Sequence, residues 1–120
     1  MIRRPVDMKA EVRDKMRGGA GSVTVHHYFE KPEFTANVRL CARLVLPPGA
    51  GIGVHQHAGE DEVYIITRGS GILDDGKEKK RVNAGDAVLT GKGDSHAIHN
   101  DGREPLELIA VIACYADDHG

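Results

Sequence analysis

Apolar positions along this chain come in short runs rich in Val, Ile and Leu, and glycines, often paired, separate the runs. Short apolar runs bounded by turn residues read as strands. They are predicted at residues 23–29, 38–46, 54–57, 62–68, 71–74, 79–82, 87–90, 97–99 and 106–115. The run VRLCARLVL alternates, which sets Val38, Leu40, Ala42, Leu44 and Leu46 on one face and Arg39, Cys41 and Arg43 on the other, until Pro47-Pro48-Gly49 ends it. Asp75-Gly76 predicts a type I′ hairpin, and Asn83-Ala84-Gly85-Asp86 a loop into the next strand. One short helix is predicted over residues 6–17, where Met8, Val12 and Met16 recur at four-residue intervals and Gly18-Gly19 supply a stop. Many short strands without helical crossovers imply an all-β sandwich or small barrel.

The chain has 120 residues, about one core's worth, and divides into an N-terminal arm over 1–22 and a single domain over 23–120. A net charge of -2 gives no hint of a partner, and the basic run KEKKR (77–81) is offset by Asp74, Asp75 and Glu78. A solvated turn is expected there, with no nucleic-acid partner. The N-terminus lacks the apolar core of a secretory signal, and no window approaches the roughly 20 apolar residues of a membrane span. A cytoplasmic protein with no membrane partner is expected. Cys41 and Cys114, far apart and each within an apolar run, read as buried reduced thiols.

The chemistry lies in GAGIGVHQHAGEDEVYIITRG, residues 49–69. On a strand, positions two apart share a face, so His55 and His57 project together, either as decoration of a polar edge or as ligands of one cation. Gly59 lets the backbone reverse, and Glu62 then approaches the same point from the neighbouring strand. Spacing leaves Glu60 and Asp61 to solvent. Downstream, His96, Ile98 and Asn100 share one face and His99 the opposite one, which favours His96 as a further ligand.

These residues resemble the cupin superfamily. Its first motif, G-x5-H-x-H-x3 or x4-E-x6-G, is met by Gly49, His55, His57, Glu62 and Gly69. Its second, G-x5-P-x-G-x2-H-x3-N, is met by Gly85, Gly93, His96 and Asn100, with Gly91 in place of the usual proline. The resemblance implies a double-stranded β-helix, the jelly-roll barrel, holding one divalent transition metal per chain on His55, His57, Glu62 and His96. Mn or Fe comes first by family habit, and Ni, Co, Cu or Zn also suit the donors. Three neutral imidazoles and one carboxylate leave about +1 on a divalent ion, which favours a small, anionic, oxygen-rich ligand.

Around that site Tyr64 is the one catalytic candidate, as an orienting group or proton donor, and equally reads as a wall residue. Asn100 is expected to hold a turn. Arg39 and Arg43 are expected to face water or a partner subunit, and neither His26 nor His27 is given a metal role. Two functions compete, beside a purely structural reading in which the barrel keeps the histidines without the metal. The first is a metal-dependent enzyme (dioxygenase, then isomerase or lyase), and the second a non-catalytic module that binds or senses a small molecule. A homodimer formed through residues 23–29 (VTVHHYF) is also expected.

Overall fold

The computed structural model describes residues 1–116; the last four positions of the predicted 23–120 domain lie outside the described residues. Ten strands follow one another: β1 (Lys9–Asp14), β2 (Ser22–His27), β3 (Val38–Leu46), β4 (Gly51–Gln56), β5 (Glu60–Arg68), β6 (Ser70–Asp74), β7 (Lys79–Asn83), β8 (Ala87–Thr90), β9 (Ser95–His99) and β10 (Leu106–Cys114). They form two antiparallel sheets, one ordered β1-β2-β3-β10-β5-β8 and the other β4-β9-β6-β7. This is the jelly-roll arrangement expected of the chain.

Alternation fills the space between the sheets. Val23 and Val25 of β2, Leu44 and Leu46 of β3, Ile66 of β5 and Leu106 and Leu108 of β10 face Ile52 of β4 and Ile98 of β9, and all are buried. Burying a side chain of this size is worth about 1.5–3 kcal/mol, so these rows fix the register of both sheets. The same inward rows then change character along the strand. Ile66 is followed by Tyr64 and Glu62, and Ile98 by His96, so one end of the barrel interior is apolar and the other polar.

The helix expected over 6–17 is absent. Residues Pro5–Asp7 and Met16–Gly18 are single 3-10 turns and Lys9–Asp14 is strand β1, paired with β2 from Lys9↔His27 to Asp14↔Ser22. A four-residue spacing is a multiple of the strand period as well as close to the helical one, so Met8, Val12 and Met16 never distinguished the two. The free edge of β2 decides for the strand, and Lys15 (φ 50°) and Arg17 (φ 54°) adopt left-handed backbone that a helix cannot hold.

Three smaller expectations also change. The 74–79 connection is a hairpin, but its loop is four residues long. Gly76 alone has positive φ (89°), and the Asp75 carboxylate accepts the N–H groups of Lys77 and Glu78, each at 2.9 Å. A type I′ turn needs positive φ at both central positions. The two cysteines are free but only half-buried. Finally, β2 lies between β1 and β3 with Val23 and Val25 turned into the chain's own core, which leaves only the half-buried Tyr28 and Phe29 of VTVHHYF for contact with another chain.

Candidate metal centre

Two breaks in alternation aim the side chains of this site. In β4, Ile52 pairs with Ile98 and His55 with His96, so three steps on β4 match two on β9. Had β4 been regular, burying Ile52 would have turned Val54 and Gln56 inward and both histidines outward. The bulge at Gly53 and Val54 reverses the phase, leaving Val54 exposed and His55 and His57 facing in. Glycine at 53 is required here: a Cβ would lie 2.0 Å from the Arg17 carbonyl oxygen.

The second break is in β3. Leu40 pairs with Ile112 and Val38 with Ala113, which leaves Arg39 as the extra residue of a bulge. Regular alternation predicts Arg39 facing out to water; the bulge instead brings it to the inward side beside Leu40. There its Nε and Nη2 donate to Glu60 Oε2 and Oε1 at 2.6 and 2.9 Å. Glu60 is correspondingly only 8% exposed, contrary to the expectation that it faces solvent. Strand β5 begins at Glu60, two residues earlier than predicted, so Glu60, Glu62 and Tyr64 share one inward row. Asp61, on the other face, accepts a hydrogen bond from the Tyr115 hydroxyl at 2.6 Å. Its carboxylate occupies the space beside Gly91, where a Cβ would sit 1.9 Å from Asp61 Oδ1, so a larger residue there, such as the family's usual proline, requires this carboxylate to move.

The four expected metal ligands converge. His96 Nε2 lies 3.0 Å from His55 Nε2, 3.0 Å from His57 Nε2 and 2.8 Å from Glu62 Oε1, and His57 Nε2 lies 2.9 Å from that same oxygen. One candidate ligand atom from each residue falls within 4.8 Å of all the others, a cluster that could hold a metal ion. One proton on His96 Nε2 can serve only one of its three neighbours, whereas a cation serves all four donors. Donors about 2.1 Å from one metal stand about 3.0–3.4 Å apart, close to the spacings here, the longest of which is 3.6 Å between His55 Nε2 and Glu62 Oε1. The far sides of the rings agree. His55 Nδ1 lies 2.8 Å from the Gly53 carbonyl, which can only accept, so the proton of the neutral ring is on Nδ1 and the Nε2 lone pair faces the cluster. His96 Nδ1 is 2.8 Å from Thr90 Oγ1.

Electrostatics follow the same pattern. Burial alone would raise the pKa of Glu62, yet the His55, His96 and His57 imidazoles gathered around its carboxylate outweigh it and the value falls to about 2. Burial lowers the pKa of His57, which favours the neutral ring a metal requires. Burial and then the Glu62 carboxylate push the Tyr64 phenol well above its ordinary value, and its ring stacks on His96 at a centroid distance of 4.8 Å. That contact suits a wall residue that fixes the His96 ring.

Three members of the cluster, His55, His57 and Glu62, line a cavity of about 110 Å³ whose walls also include Arg13, Arg17, His27, Arg39 and Tyr64. Sequence reasoning missed Arg13, Arg17 and His27, because the strand that carries Arg13 read as a helix and the bulges leave only glycine as a signal. Arg13 and His27 both engage Glu11, His27 Nε2 at 3.0 Å, while Arg17 has no side-chain hydrogen bond or ion pair among the described residues. Other candidates lie elsewhere. Arg43 pairs with Glu107 on the outside of the sheet, His99 is exposed, and Lys92 and Asp94 border a different depression. Asn100 is fully buried and holds a turn as expected. Its Nδ2 donates to the carbonyls of Leu46 (2.9 Å) and Glu104 (2.8 Å), and its Oδ1 accepts from Gly102 N–H (3.0 Å).

Comparison with known proteins agrees with this architecture. An oxalate-binding protein of Thermotoga maritima is 40% identical over 112 residues, covering 93% of each chain. A crystal structure described as a predicted oxalate decarboxylase from Thermotoga maritima superposes with a TM-score of 0.91 at 39% identity, covering 95% of this chain and 99% of the other. A polyketide cyclase of Streptomyces resistomycificus shares the fold alone, at 18% identity and a TM-score of 0.76 over 97% of this chain and 81% of its own. The family model described as the cupin domain matches residues 42–112, from the middle of β3 to the buried end of β10, and the chain belongs to the cupin family.

Proposed function

We propose that this cupin binds a small carboxylate anion of the oxalate type on a divalent metal held by His55, His57, Glu62 and His96. The observation that carries the reading is one cavity lined both by three residues of a cluster that could hold a cation, His55, His57 and Glu62, and by three arginines, Arg13, Arg17 and Arg39. A divalent cation supplies a Lewis-acidic centre for carboxylate oxygens. The chain supplies the rest. Glu11 and Glu60 offset two of the arginines, and Arg17 keeps one uncompensated positive charge at the mouth, which draws anions in. A cavity of about 110 Å³ suits a ligand of few atoms, well below the roughly 300–1,000 Å³ of drug-sized pockets. The name of the oxalate-binding relative supports the same ligand class.

Calorimetric titration of metal-loaded and chelator-treated protein with oxalate, malonate and formate tests this. Binding of oxalate only to the loaded form is expected, weakened about tenfold in Arg17→Glu and falling with added salt. Equal oxalate binding without metal contradicts it.

A second reading, turnover of the bound anion by a metal-dependent enzyme, is favoured by the pairing of His27 with Glu11 in the cavity wall. That pair is an acid–base group of the kind an isomerase or lyase needs and a dioxygenase does not. Consumption of oxalate that is lost in His27→Gln supports acid–base turnover, oxygen uptake over diketones that persists in His27→Gln supports a dioxygenase, and full recovery of every compound supports binding alone. Homodimerisation belongs to the same proposal, with exposed Val12 on edge strand β1 as its surface. A mass near 13 kDa by light scattering would refute it. The free cysteines support a cytoplasmic setting.

A further inference from the structure

His57 Nδ1 is the one buried side-chain polar atom among the described residues without a hydrogen-bond partner. If His57 Nε2 is to offer its lone pair to the cluster, the neutral ring carries its proton on Nδ1, and a buried N–H without an acceptor costs about 1–3 kcal/mol. The acceptor within reach is Glu60 Oε1, 3.5 Å away. A shift of about 0.6 Å brings that pair to ordinary hydrogen-bond length. Glu60 is in turn clamped by two hydrogen bonds from Arg39, which reaches it only because of the bulge in β3.

We propose that Glu60, clamped by Arg39, is the positioning residue that fixes the His57 tautomer and thereby sets the affinity of the site for its metal. Three of the four ligands come from rings, and the other two rings already have their Nδ1 atoms paired, with the Gly53 carbonyl and the Thr90 hydroxyl. Glu60 completes the set for the third. A carboxylate behind a ligating histidine is a general device for orienting the ring and raising its basicity, and its loss usually weakens metal binding by about 10–100-fold. The bulge at Arg39, the inward turn of Glu60 and the orphaned Nδ1 then have a single explanation.

The inference rests on the four-residue metal site, and one experiment separates the two. Zn²⁺ affinity is measured by chelator competition, without added anion, for the natural chain, Glu60→Ala and Glu60→Gln. Histidine ¹⁵N spectra of the Zn²⁺ forms are recorded alongside. The expected result is one tight equivalent in the natural chain, a loss of about 10–100-fold in Glu60→Ala, a smaller loss of about three- to tenfold in Glu60→Gln, which keeps an acceptor oxygen, and broadening of the His57 Nδ1–H signal in Glu60→Ala. A natural chain that takes up no Zn²⁺ refutes the metal site itself. A natural chain that binds, with both variants within threefold of it and an unchanged His57 signal, overturns the role of Glu60 alone. If Glu60→Ala does not fold, Glu60→Gln decides by the same threefold criterion.

Discussion

Replacing Gly53 by alanine sets a methyl group against the backbone of the N-terminal arm. The new Cβ would lie 2.0 Å from the Arg17 carbonyl oxygen, 2.8 Å from its carbon and 2.9 Å from Gly19 N. All three are backbone atoms, so no rotamer change relieves the clash and the turn Met16–Gly18 must retreat by about 1 Å or more. That movement strains the neighbouring hydrogen bond from Gly51 N to the Ala20 carbonyl, now 2.9 Å long. Overpacking costs about 1–3 kcal/mol and the loss of the hydrogen bond about 1 kcal/mol, giving about 2–4 kcal/mol together. At about 4 °C per kcal/mol for a domain of this size, the melting temperature should fall by about 8–16 °C. Arg17 rides on the displaced turn, so oxalate affinity of the metal-loaded protein should fall as well. Circular-dichroism melts of Gly53→Ala beside Val54→Ala, whose side chain is exposed and whose effect should stay within about 0.5 kcal/mol, provide the test. A Gly53→Ala melt within about 2 °C of the natural chain would show that the arm does not pack on β4 as described.

Two further outcomes follow from the polar interior. In metal-free protein, Glu62 titrates near 2 instead of its ordinary 4.5, so its contribution to stability is present above 4.5 and is lost as pH falls from there toward 2. His57, lowered by burial, acts in the same direction, because the unfolded chain takes up its proton first as pH falls below 6.5. The unfolding free energy in chelator, measured by denaturant titration, should therefore drop steadily from pH 7 to pH 3, by a few kcal/mol in all, and a flat or rising profile would contradict the buried cluster. Asn100→Ala removes three hydrogen bonds from a fully buried position and leaves the Leu46 carbonyl without its side-chain donor. Denaturant unfolding should show a loss of about 2–4 kcal/mol with Zn²⁺ affinity unchanged, whereas a loss of metal affinity at constant stability would give Asn100 a part in the site.

Wherever period-2 alternation runs unbroken, the sequence is a faithful guide. The inward row of Glu62, Tyr64 and Ile66, that of His96, Ile98 and Asn100, and the choice of His96 over His99 all follow from it and are found in the structure. What was illegible sits where alternation breaks or where a strand begins earlier than its apolar run. Arg39 reads as outward because nothing in VRLCARLVL marks the bulge, and Glu60, in phase with Glu62 and Tyr64, reads as solvent-facing because the strand is predicted to start only at Glu62 and its partner Arg39 lies 21 residues away. The arm failed for a different reason: a four-residue spacing fits a strand as well as a helix, and only the unpaired edge of β2, a feature of tertiary structure, chooses between them. Gly53 was the available clue to the β4 bulge. Its use lies in the close approach of Arg17, which belongs to a distant turn.

Whether His55, His57, Glu62 and His96 form a single metal site is read out by elemental analysis of protein purified without an affinity tag. About one equivalent of a divalent transition metal per chain is predicted, either as purified or after reconstitution, and His96→Ala should retain little of it. A natural chain that stays metal-free after reconstitution, or a His96→Ala variant that holds the same metal as tightly, would rule out a metal site on these four residues.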